Sequence, residues 1–414
     1  MSTLSKIGIA HLTLPKERFA IAFSGGGDST VLVHLLRDLN PLILIVDHGL
    51  RDGSKVEALS AKAFAEKLGL ETEILSWQSG AISTGLQAKA RHARYNLLGQ
   101  ACRKHSISDL LTAHTQDDQA ETVLMRMEAG TAWRGAAAME VISNAPLWPA
   151  LAGLRLWRPL LGFSRQDLRD YLKKHHLNFI DDPSNENRAF TRIRARDTLK
   201  KNMKLRTDML SLAKEMRQGL LDEKAHFQAI IKDKVNVDVI GGINITAPIP
   251  KHLLKLCLLC ASGQGKPIDL QKLKGLHERI SYDSDFVATL SGAQVTANHK
   301  RLRIIRDPGA VKSRSGLPLI AQSVDILTGQ TVLWDGRWWV KALKESYKIT
   351  PLAGHMSALP KVLKNKALSY DAASRPTLPL IWKRSEPICI ADSDNDVKFD
   401  VKNTVLKHLH AMVL

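Results

Sequence analysis

A glycine-rich segment between two apolar runs is the first place where the residue types could do chemistry. Ser24-Gly25-Gly26-Gly27-Asp28-Ser29 follows the apolar run Phe19–Phe23 and precedes Thr30–Leu39, whose apolar residues have helical spacing. Three glycines let the backbone approach an anion, and a helix start offers unpaired N–H groups and a positive dipole end. The segment predicts a phosphate-binding loop, although a glycine-rich turn without a ligand has the same composition.

Two common phosphate-binding loops do not match this segment. A Walker loop ends in Gly-Lys-Ser/Thr, and the dinucleotide-binding fingerprint needs its third glycine where this chain has Asp28 or Ser29. A carboxylate inside an anion-binding loop is best explained by a metal ion, Mg²⁺ above all, that itself binds phosphate. Asp28 is therefore the predicted metal ligand and a candidate catalytic residue.

Four polar residues follow a second apolar run. His114, Asp117, Asp118 and Glu121 come directly after Asp109–Ala113, near the start of a helix that we predict from residue 117 to residue 128. Acidic residues at a helix start are often caps and dipole partners, so a purely structural role is one interpretation. They also follow the carboxyl end of a predicted parallel strand, where ligands of such sheets bind. We interpret all four as candidate catalytic residues.

Arginines form two further candidate sets, which we assign to phosphate oxygens of a nucleotide or of RNA. Arg91 and Arg94 are three residues apart on one predicted helix and therefore share a face. A solvated basic face is the alternative for this pair. The second set lies within residues 181–196, a stretch that we predict to be irregular, and consists of Arg188, Arg192, Arg194 and Arg196.

The elements that must position these residues alternate between strand and helix over the first 120 residues. Apolar runs at Phe19–Phe23, Leu42–Val46, Glu73–Leu75 and Asp109–Ala113 predict strands, and the stretches between them have apolar residues at helical spacing. This alternation predicts a parallel sheet that binds its ligand beyond the carboxyl ends of the strands. Further along, Ser164–Asp167 matches a capping box, to which we assign a purely structural role.

Beyond residue 200 the alternation stops. Residues 205–232, 249–262 and 267–280 predict helices, and strand-like runs follow from residue 285. We therefore expect three domains: a catalytic α/β domain at 1–205, a helical substrate-binding module at 206–284 and a β-rich RNA-binding domain at 285–414. Trp334, Trp338 and Trp339 favour core packing, and stacking on an RNA base is the alternative.

The segment SGGGDS between a strand and a helix resembles the signature of the PP-loop ATP pyrophosphatases. Four further stretches are similar to bacterial tRNA(Ile)-lysidine synthetases, with one departure at Thr115-Gln116. They are Val46-Asp47-His48-Gly49-Leu50-Arg51, Gln87–Tyr95, His114–Thr122, and Asp182-Pro183-Ser184-Asn185 with Arg192-Ile193-Arg194. The resemblance covers residues 18 to about 200 strongly; Trp334–Arg337, Leu359-Pro360 and Leu378-Pro379 are weaker similarities.

This resemblance implies a PP-loop domain like that of the adenine nucleotide alpha hydrolases and an ATP-dependent ligase. ATP would adenylate O2 of cytidine 34 in the CAU anticodon of tRNA(Ile) and release pyrophosphate. The amine of free L-lysine would then attack C2 and displace AMP, which leaves lysidine. Mg²⁺ would accompany ATP. The residues that would contact tRNA are Arg91, Arg94, Arg192 and Arg194. The oligomeric state stays open, and a homodimer is one possibility.

Two other function classes stay open. Some PP-loop enzymes thiolate tRNA with paired cysteines, and Cys257 and Cys260 have such a spacing, but they lie in an apolar helical stretch that favours ordinary buried thiols. Another possibility is a non-catalytic RNA-binding protein that holds ATP as a structural ligand. Release of pyrophosphate that depends on tRNA would exclude this last class.

The composition indicates which kind of binding partner and which cellular compartment to expect. The 414 residues carry a formal charge of +18, of which residues 1–200 carry +5, which leaves +13 for the second half. Such an excess favours a polyanionic partner. Four cysteines and a start without a sustained apolar run predict reduced thiols in the cytoplasm. The uncharged stretch Val141–Leu154 is too short to span a bilayer, so we expect no membrane segment.

Overall fold

A computed structural model of the chain describes residues 8–49, 53–77, 86–180, 191–265, 267–282, 285–299, 301–311, 323–390 and 399–413. The chain divides into two compact units. Unit 1 comprises Met1–Pro146 and Gly153–Glu223, and unit 2 comprises Leu147–Ala152 and Lys224–Leu414. The three-domain division expected from the sequence remains a prediction, since its boundary near residue 284 lies inside unit 2.

Unit 1 combines a mostly parallel sheet with helices. Its strands are β1 (Ala20–Phe23), β2 (Leu42–Asp47), β3 (Thr72–Ser76), β4 (Asp109–Leu111), β5 (Ile142–Asn144) and β6 (Arg155–Trp157). Its helices are α1 (Gly27–Leu36), α2 (Ser54–Lys67), α3 (Leu86–Lys104), α4 (Gln116–Glu128), α5 (Trp133–Ala136), α6 (Arg165–Lys174) and α7 (Thr191–Lys201). Helix α8 (Met203–Lys234) begins in unit 1 and ends in unit 2.

The order of the six strands in unit 1 creates a crevice beside β1. The order is β3-β2-β1-β4-β6-β5, with parallel pairing except for β5. Strand β1 pairs with β2 on one side and with β4 on the other, so Ala20 lies opposite both Leu42 and Leu110. The chain therefore reverses its direction of winding between β1 and β4, the point where open α/β sheets bind ligands. The predicted parallel sheet is confirmed; the short strands β5 and β6 were not predicted.

The core of unit 1 explains why the residues before the glycine loop form a strand. Every residue of β1 is buried, and Ile21 and Phe23 pack with Leu32 of α1 and Leu172 of α6 in one apolar cluster. A fully buried side chain of this size contributes roughly 1.5–3 kcal/mol. The loop and the start of α6 are thus attached to the same core, which fixes the segments that carry the charged residues.

In its described residues, unit 2 contains antiparallel sheets and further helices. Its strands are β7 (Val235–Val237), β8 (Ile243–Thr246), β9 (Phe286–Leu290), β10 (Ala293–Asn298), β11 (Arg301–Arg306), β12 (Val324–Ile326), β13 (Thr331–Trp334), β14 (Trp338–Ala342), β15 (Tyr347–Pro351), β16 (Pro379–Lys383), β17 (Glu386–Ile390) and β18 (Phe399–Asn403). Its helices are α9 (Lys251–Ser262), α10 (Leu270–Ser281), α11 (Lys361–Leu368) and α12 (Val405–Val413).

One sheet of unit 2 joins residues from both sides of the predicted boundary near residue 284. The orders are β7-β8-β11-β10-β9, β12-β15-β16-β17 and β13-β14-β18. The strand-like runs predicted after residue 285 are confirmed here, because β10 and β11 pair with Asn298 opposite Arg301. The segment 206–284, predicted to be helical, also contains β7 and β8, which extend this same sheet.

A buried ion cluster lies at the turn between β13 and β14. Asp335 accepts N–H bonds from Arg306 Nε (3.0 Å) and from Arg337 Nε (3.0 Å), and all three side chains are almost completely buried. Trp334 and Trp338 flank this turn in the apolar core, which confirms the interpretation of these two tryptophans as packing residues. Trp339 is half-buried.

The thiols of α9 belong to the core of unit 2. Cys257 and Cys260 are fully buried, and burial raises the pKa of Cys257 to about 12. A buried thiol with a raised pKa is a poor nucleophile, so the interpretation of this pair as ordinary core thiols is confirmed. Among the described residues, no helix combines the length with the apolar character needed to cross a membrane.

A buried histidine gives unit 2 a pH dependence that can be measured. His408 of α12 stacks on Trp148 with ring centroids 3.6 Å apart, and neither of its ring nitrogens has a hydrogen-bond partner in the described part of the chain. Burial lowers the pKa of His408 to about 3. The unfolded chain binds this proton near its ordinary pKa of about 6.5, whereas the folded chain does not, so stability is lost as the pH falls below about 6.5.

His408→Phe should therefore reduce the pH dependence of stability. Between about pH 7.5 and pH 5, this one histidine costs the wild-type chain about 2 kcal/mol, and phenylalanine keeps the stacked ring without the proton. The measurement is urea unfolding of the full chain at both pH values. His410→Phe, at an exposed position of the same helix, is the control. An unchanged pH dependence in His408→Phe would contradict the buried neutral histidine.

Candidate active site

The glycine-rich segment forms a tight loop after β1. Gly25 has a φ of +77°, a left-handed conformation that favours glycine, and its carbonyl accepts the N–H of Ile180 at 2.9 Å. A Cβ atom at Gly25 would lie 2.6 Å from Cδ1 of Ile180. Ser24 Oγ and Ser29 Oγ are 3.1 Å apart, and Ser29 Oγ donates to the carbonyl of Gly26. The left-handed backbone is therefore what favours glycine here, and a larger residue would also displace the end of the Ile180 side chain.

The helix that follows this loop differs from its neighbours in its first turn. Helix α1 begins at Gly27 and has no side-chain cap among the described residues. Helices α4 and α6 each begin with a complete capping box, formed by Thr115 with Asp118 and by Ser164 with Asp167. An uncapped start leaves backbone N–H groups and the positive dipole end for a ligand, which is the chemistry of an anion site.

His114 follows β4 at the same edge of the sheet. Its Nδ1 lies 2.9 Å from Thr112 Oγ1, and the Thr112 hydroxyl donates to the carbonyl of Trp157. Burial lowers the pKa of His114 to about 3. The ring is therefore neutral at physiological pH, and because the hydroxyl already donates elsewhere, Nδ1 carries the proton and Nε2 is the acceptor.

Arg165 connects the carboxylates of three sequence regions. Its Nη2 donates to Asp118 Oδ1 (2.8 Å), its Nη1 to Glu121 Oε1 (3.1 Å) and its Nε to Asp28 Oδ2 (3.3 Å). The predicted capping box around Ser164 is confirmed, yet the side chain between its two members also belongs to the site. This role of Arg165 does not follow from the sequence, because the capping box involves Ser164 and Asp167 and says nothing about the side chain between them.

Two arginines of α7 complete this network. Arg192 donates from Nε to Glu121 Oε2 and from Nη2 to Asp118 Oδ1, both at 2.8 Å, and Arg196 donates from Nε to Glu121 Oε1 at 2.8 Å. Glu121 thus accepts N–H bonds from three arginines although only 2% of its side chain is exposed. The three carboxylates Asp28, Asp118 and Glu121 balance three guanidinium groups, which is the condition under which buried charges are tolerated.

The carboxylates of this network differ in their electrostatics. Burial opposes ionisation of Asp118, but Arg165 and Arg192 outweigh it and hold the pKa of Asp118 below its ordinary value. For Asp28 burial is the larger effect, so its pKa is raised despite Arg165. Asp118 is therefore a fixed anion bound by arginines, whereas Asp28 is the carboxylate whose charge is least compensated by the protein.

Asp117 has a different environment from its neighbour. Its Oδ2 accepts the backbone N–H of Arg165 at 2.7 Å, and its Oδ1 lies 3.3 Å from Nε of Arg206. The carboxylate therefore satisfies a donor at the start of α6 and joins α4 to α8. This geometry is that of a residue that positions α6 and, through it, Arg165.

The prediction that residues 181–196 are irregular is wrong for the part that the structure describes. Residues from Thr191 onwards form α7, so Arg192 and Arg196 are four apart on one helical face and both reach Glu121. Arg194 lies on the other side of the helix, is exposed, and donates to Thr191 Oγ1. The buried Ile193, Ala195 and Leu199 supply the apolar stripe that makes this segment helical.

A cavity of about 1050 Å³ brings these elements together inside unit 1. This volume lies at the upper end of the roughly 300–1,000 Å³ typical of small-molecule pockets. Seven of its lining residues are arginine or lysine and two are aspartate, so the space favours an anion. The predicted residues that line it are Ser24, Gly26, Gly27, Asp28, Ser29, Arg94, His114, Asp118 and Arg192.

The other predicted residues lie outside the lining. Gly25 is a buried residue of the glycine loop, and Glu121 is buried behind the arginines that it binds. Arg91 is exposed on α3, with its guanidinium 5.0 Å from the ring centroid of Tyr95. Asp117 and Arg194 also lie outside the lining.

The lining residues that were not predicted as site residues include Arg165, Arg169, Lys173, Arg196 and Lys200. Leu50, Arg51 and Asp182–Asn185 of the similar stretches fall outside the described residues, and so does Arg188 of the predicted arginine set.

Comparisons with known proteins define the class and then the family. Residues 2–203 match the family model described as PP-loop domain, which includes β1, the glycine loop and α1. A tRNA(Ile)-lysidine synthase of Caulobacter vibrioides is 33% identical over 373 residues, which cover 87% of this chain and 83% of that protein. A tRNA(Ile)-lysidine synthase of Wolbachia pipientis wMel is 30% identical over 430 residues, and the match covers 96% of this chain and 95% of that protein. The chain therefore belongs to the tRNA(Ile)-lysidine synthase family, a family of enzymes.

A solved structure also matches part of the chain. The U34-tRNA thiolase of Methanococcus maripaludis superposes with a TM-score of 0.42 at 18% sequence identity, and the match covers 51% of this chain and 74% of that chain.

Proposed function

We propose that this enzyme joins free L-lysine to C2 of cytidine 34 in the CAU anticodon of tRNA(Ile) at the expense of ATP. In the first step, O2 of cytidine attacks the α-phosphorus of ATP, and pyrophosphate leaves. In the second step, the lysine amine attacks C2, the bond from C2 to O2 breaks, and AMP leaves with that oxygen. The amine gives up a proton, and lysidine remains in the tRNA.

One observation carries this proposal. A single cavity contains the uncapped start of α1, the carboxylate of Asp28, neutral His114 and an excess of basic side chains. An anion site next to a polar acceptor suits transfer of an adenylyl group to a base followed by attack of an amine. The family membership supplies the identity of the base and of the amine.

The loop is suited to the phosphates of ATP. The N–H groups at the start of α1 and the serine hydroxyls of Ser24 and Ser29 would contact phosphate oxygens. Mg²⁺ fits Asp28, because this ion is usually held by one or two carboxylates together with substrate phosphates. The Asp28 side chain is 29% exposed and, among the described residues, accepts the N–H of Arg165 Nε at 3.3 Å. When bound there, the ion would supply positive charge that stabilises the departing pyrophosphate.

The charged network would organise the second half of the reaction. Asp118 and Glu121 hold Arg165, Arg192 and Arg196 against the cavity, so these carboxylates act through the arginines that they bind. In Arg196 only Nε has a described partner, which leaves its two terminal nitrogens for a phosphate or for AMP. His114 Nε2 would accept a hydrogen bond from the incoming amine or the cytosine.

Binding of tRNA is the role that we propose for the remaining basic residues. Arg94 lines the cavity, and Arg91 lies three residues earlier on α3. Arg192 is already bound to two carboxylates, which favours a role in the network over a direct tRNA contact. Since tRNA and ATP are the substrates, we place the reaction in the cytoplasm.

Radiolabelled lysine tests this function directly. The full chain with ATP, Mg²⁺ and a tRNA transcript bearing a CAU anticodon should incorporate lysine and release one AMP and one pyrophosphate for each lysine. The same transcript with uridine in place of cytidine 34 is the control and should accept no lysine. Incorporation into neither transcript, or incorporation without ATP, would overturn the proposed function.

A further inference from the structure

Two helices present basic residues to the cavity with the same spacing. On α6 these are Arg165, Arg169 and Lys173, and on α7 they are Arg192, Arg196 and Lys200. All six line the cavity of unit 1. Residues at i, i+4 and i+8 share one face of a helix, so each helix has a continuous basic stripe along the cavity wall.

The two stripes divide into an inner and an outer part. The inner residues Arg165, Arg192 and Arg196 are bound to Asp118 and Glu121. The outer residues are Arg169, Lys173 and Lys200, which are exposed and have no ion-pair or hydrogen-bond partner in the described ranges. The inner arginines are thus held by carboxylates of the protein, whereas the three outer residues carry positive charge that no described side chain pairs with.

The positions of the outer residues indicate what kind of anion they fit. A rise of about 1.5 Å for each residue places Arg169 and Lys173 about 6 Å apart along the axis of α6, and Lys200 lies on the other helix. The uncapped start of α1 already offers a site for the phosphates of ATP, so these three cations are left for another anion. Successive phosphates of a nucleic-acid strand can contact cations on two helices, and lysines and arginines at such sites position a strand without reading its sequence.

We propose that Arg169, Lys173 and Lys200 form an RNA-backbone subsite, which holds phosphates beside the reacting nucleotide while its base lies in the cavity. This inference rests on the proposed function, because it takes tRNA as the occupant. It adds residues that the motifs did not indicate, on the same unit that carries the glycine loop. The subsite would align the anticodon with ATP independently of the basic excess of the second half of the chain.

The chain offers a matched pair of variants for the test. Lys173→Gln/Lys200→Gln removes two charges from the cavity. Lys174→Gln/Lys201→Gln removes two charges at the next position of each helix, where the side chains are exposed and do not line the cavity. Both double variants change the net charge of the full chain equally and both replace exposed residues, so a difference between them reports the location of the charge.

The readout is tRNA affinity at several salt concentrations, with ATP affinity measured by calorimetry. The salt slope is the slope of the logarithm of the tRNA binding constant against the logarithm of the salt concentration. Each lost phosphate contact to a single strand lowers its magnitude by about 0.7. The slope of the cavity pair should therefore be smaller than that of the wild type by about 1.4, while the control pair keeps the wild-type slope. ATP affinity should stay unchanged in both. Equal slopes in the two pairs would overturn the subsite, and so would a loss of ATP affinity confined to the cavity pair, which would indicate a triphosphate site.

The wild-type protein separates this inference from the function on which it rests. A wild-type chain that incorporates no lysine into any tRNA overturns the proposed function. A wild-type chain that incorporates lysine, together with equal slopes in the two double variants, overturns the subsite alone.

Discussion

Asp28→Asn should lower the rate of tRNA-dependent AMP formation by roughly 10²–10³-fold, the loss typical of removing one group that stabilises transition-state charge. The amide keeps the shape of the side chain but loses the charge that we assign to Mg²⁺ and phosphate. Folding should be unaffected, because burial raises the pKa of Asp28 and its ionised form therefore does not stabilise the fold. Arg165 keeps its two other partners, Asp118 and Glu121.

Release of AMP and pyrophosphate, together with the melting temperature, checks this expectation. The Mg²⁺ concentration that gives half the maximal rate should also rise in the variant. Asp38→Asn is the control, since Asp38 follows the same helix and 74% of its side chain is exposed. Wild-type turnover in Asp28→Asn would remove Asp28 from the catalytic step and, with it, the carboxylate that best fits the metal.

The parts of the site that follow from sequence are those that a local pattern determines. The glycine loop lies between an apolar strand and a helix that share one core, so Ser24–Ser29 could be placed at the edge of the sheet before any contact was known. Asp118 was also predicted from a local pattern, and it acts both as a helix cap and as a residue of the site. One of its oxygens completes the capping box with Thr115, and the other accepts N–H bonds from Arg165 and Arg192.

The parts that sequence could not supply depend on contacts between distant positions. Arg165 lies 137 positions from Asp28 and 44 from Glu121, and no local pattern links such partners. The arginines after residue 190 were placed in an irregular stretch because the adjacent Asp-Pro-Ser-Asn segment predicts a turn. Helix α7 begins shortly afterwards, and its period determines that Arg196 reaches Glu121 while Arg194 remains at the surface. A repeat of basic residues at four-residue spacing was the signal that could have indicated this face.

The network also explains why a chain with a large positive charge can hold three arginines at one point. Arg165, Arg192 and Arg196 would repel one another in the absence of Asp118 and Glu121, and desolvation would add to that cost. Paired in this way, they present a preorganised set of donors whose position does not depend on a bound substrate. Glu121 is the member with the most arginine partners, so its charge is the one on which the arrangement depends most.

Glu121→Gln should therefore destabilise the full chain by about 3 kcal/mol, the lower end of the range for breaking a buried ion pair. The lower end applies because Arg192 and Arg196 are partly exposed, so water can solvate them in part, and because glutamine retains one acceptor oxygen. Urea unfolding measures the effect, and Glu128→Gln, at an exposed position on the same helix, should change stability by less than about 0.5 kcal/mol.

A double variant identifies how Glu121 acts. If its role is to hold arginines, Glu121→Gln combined with Arg196→Gln should be less destabilising than the sum of the two single changes, because the second change removes a guanidinium that the first left unpaired. If instead the carboxylate binds the lysine substrate directly, Glu121→Gln should keep wild-type stability, and the lysine concentration for half-maximal rate should rise. The geometry favours the first result, since three arginine N–H groups already bind the two carboxylate oxygens. Wild-type stability in Glu121→Gln would contradict it and would return this residue to the role of a substrate ligand.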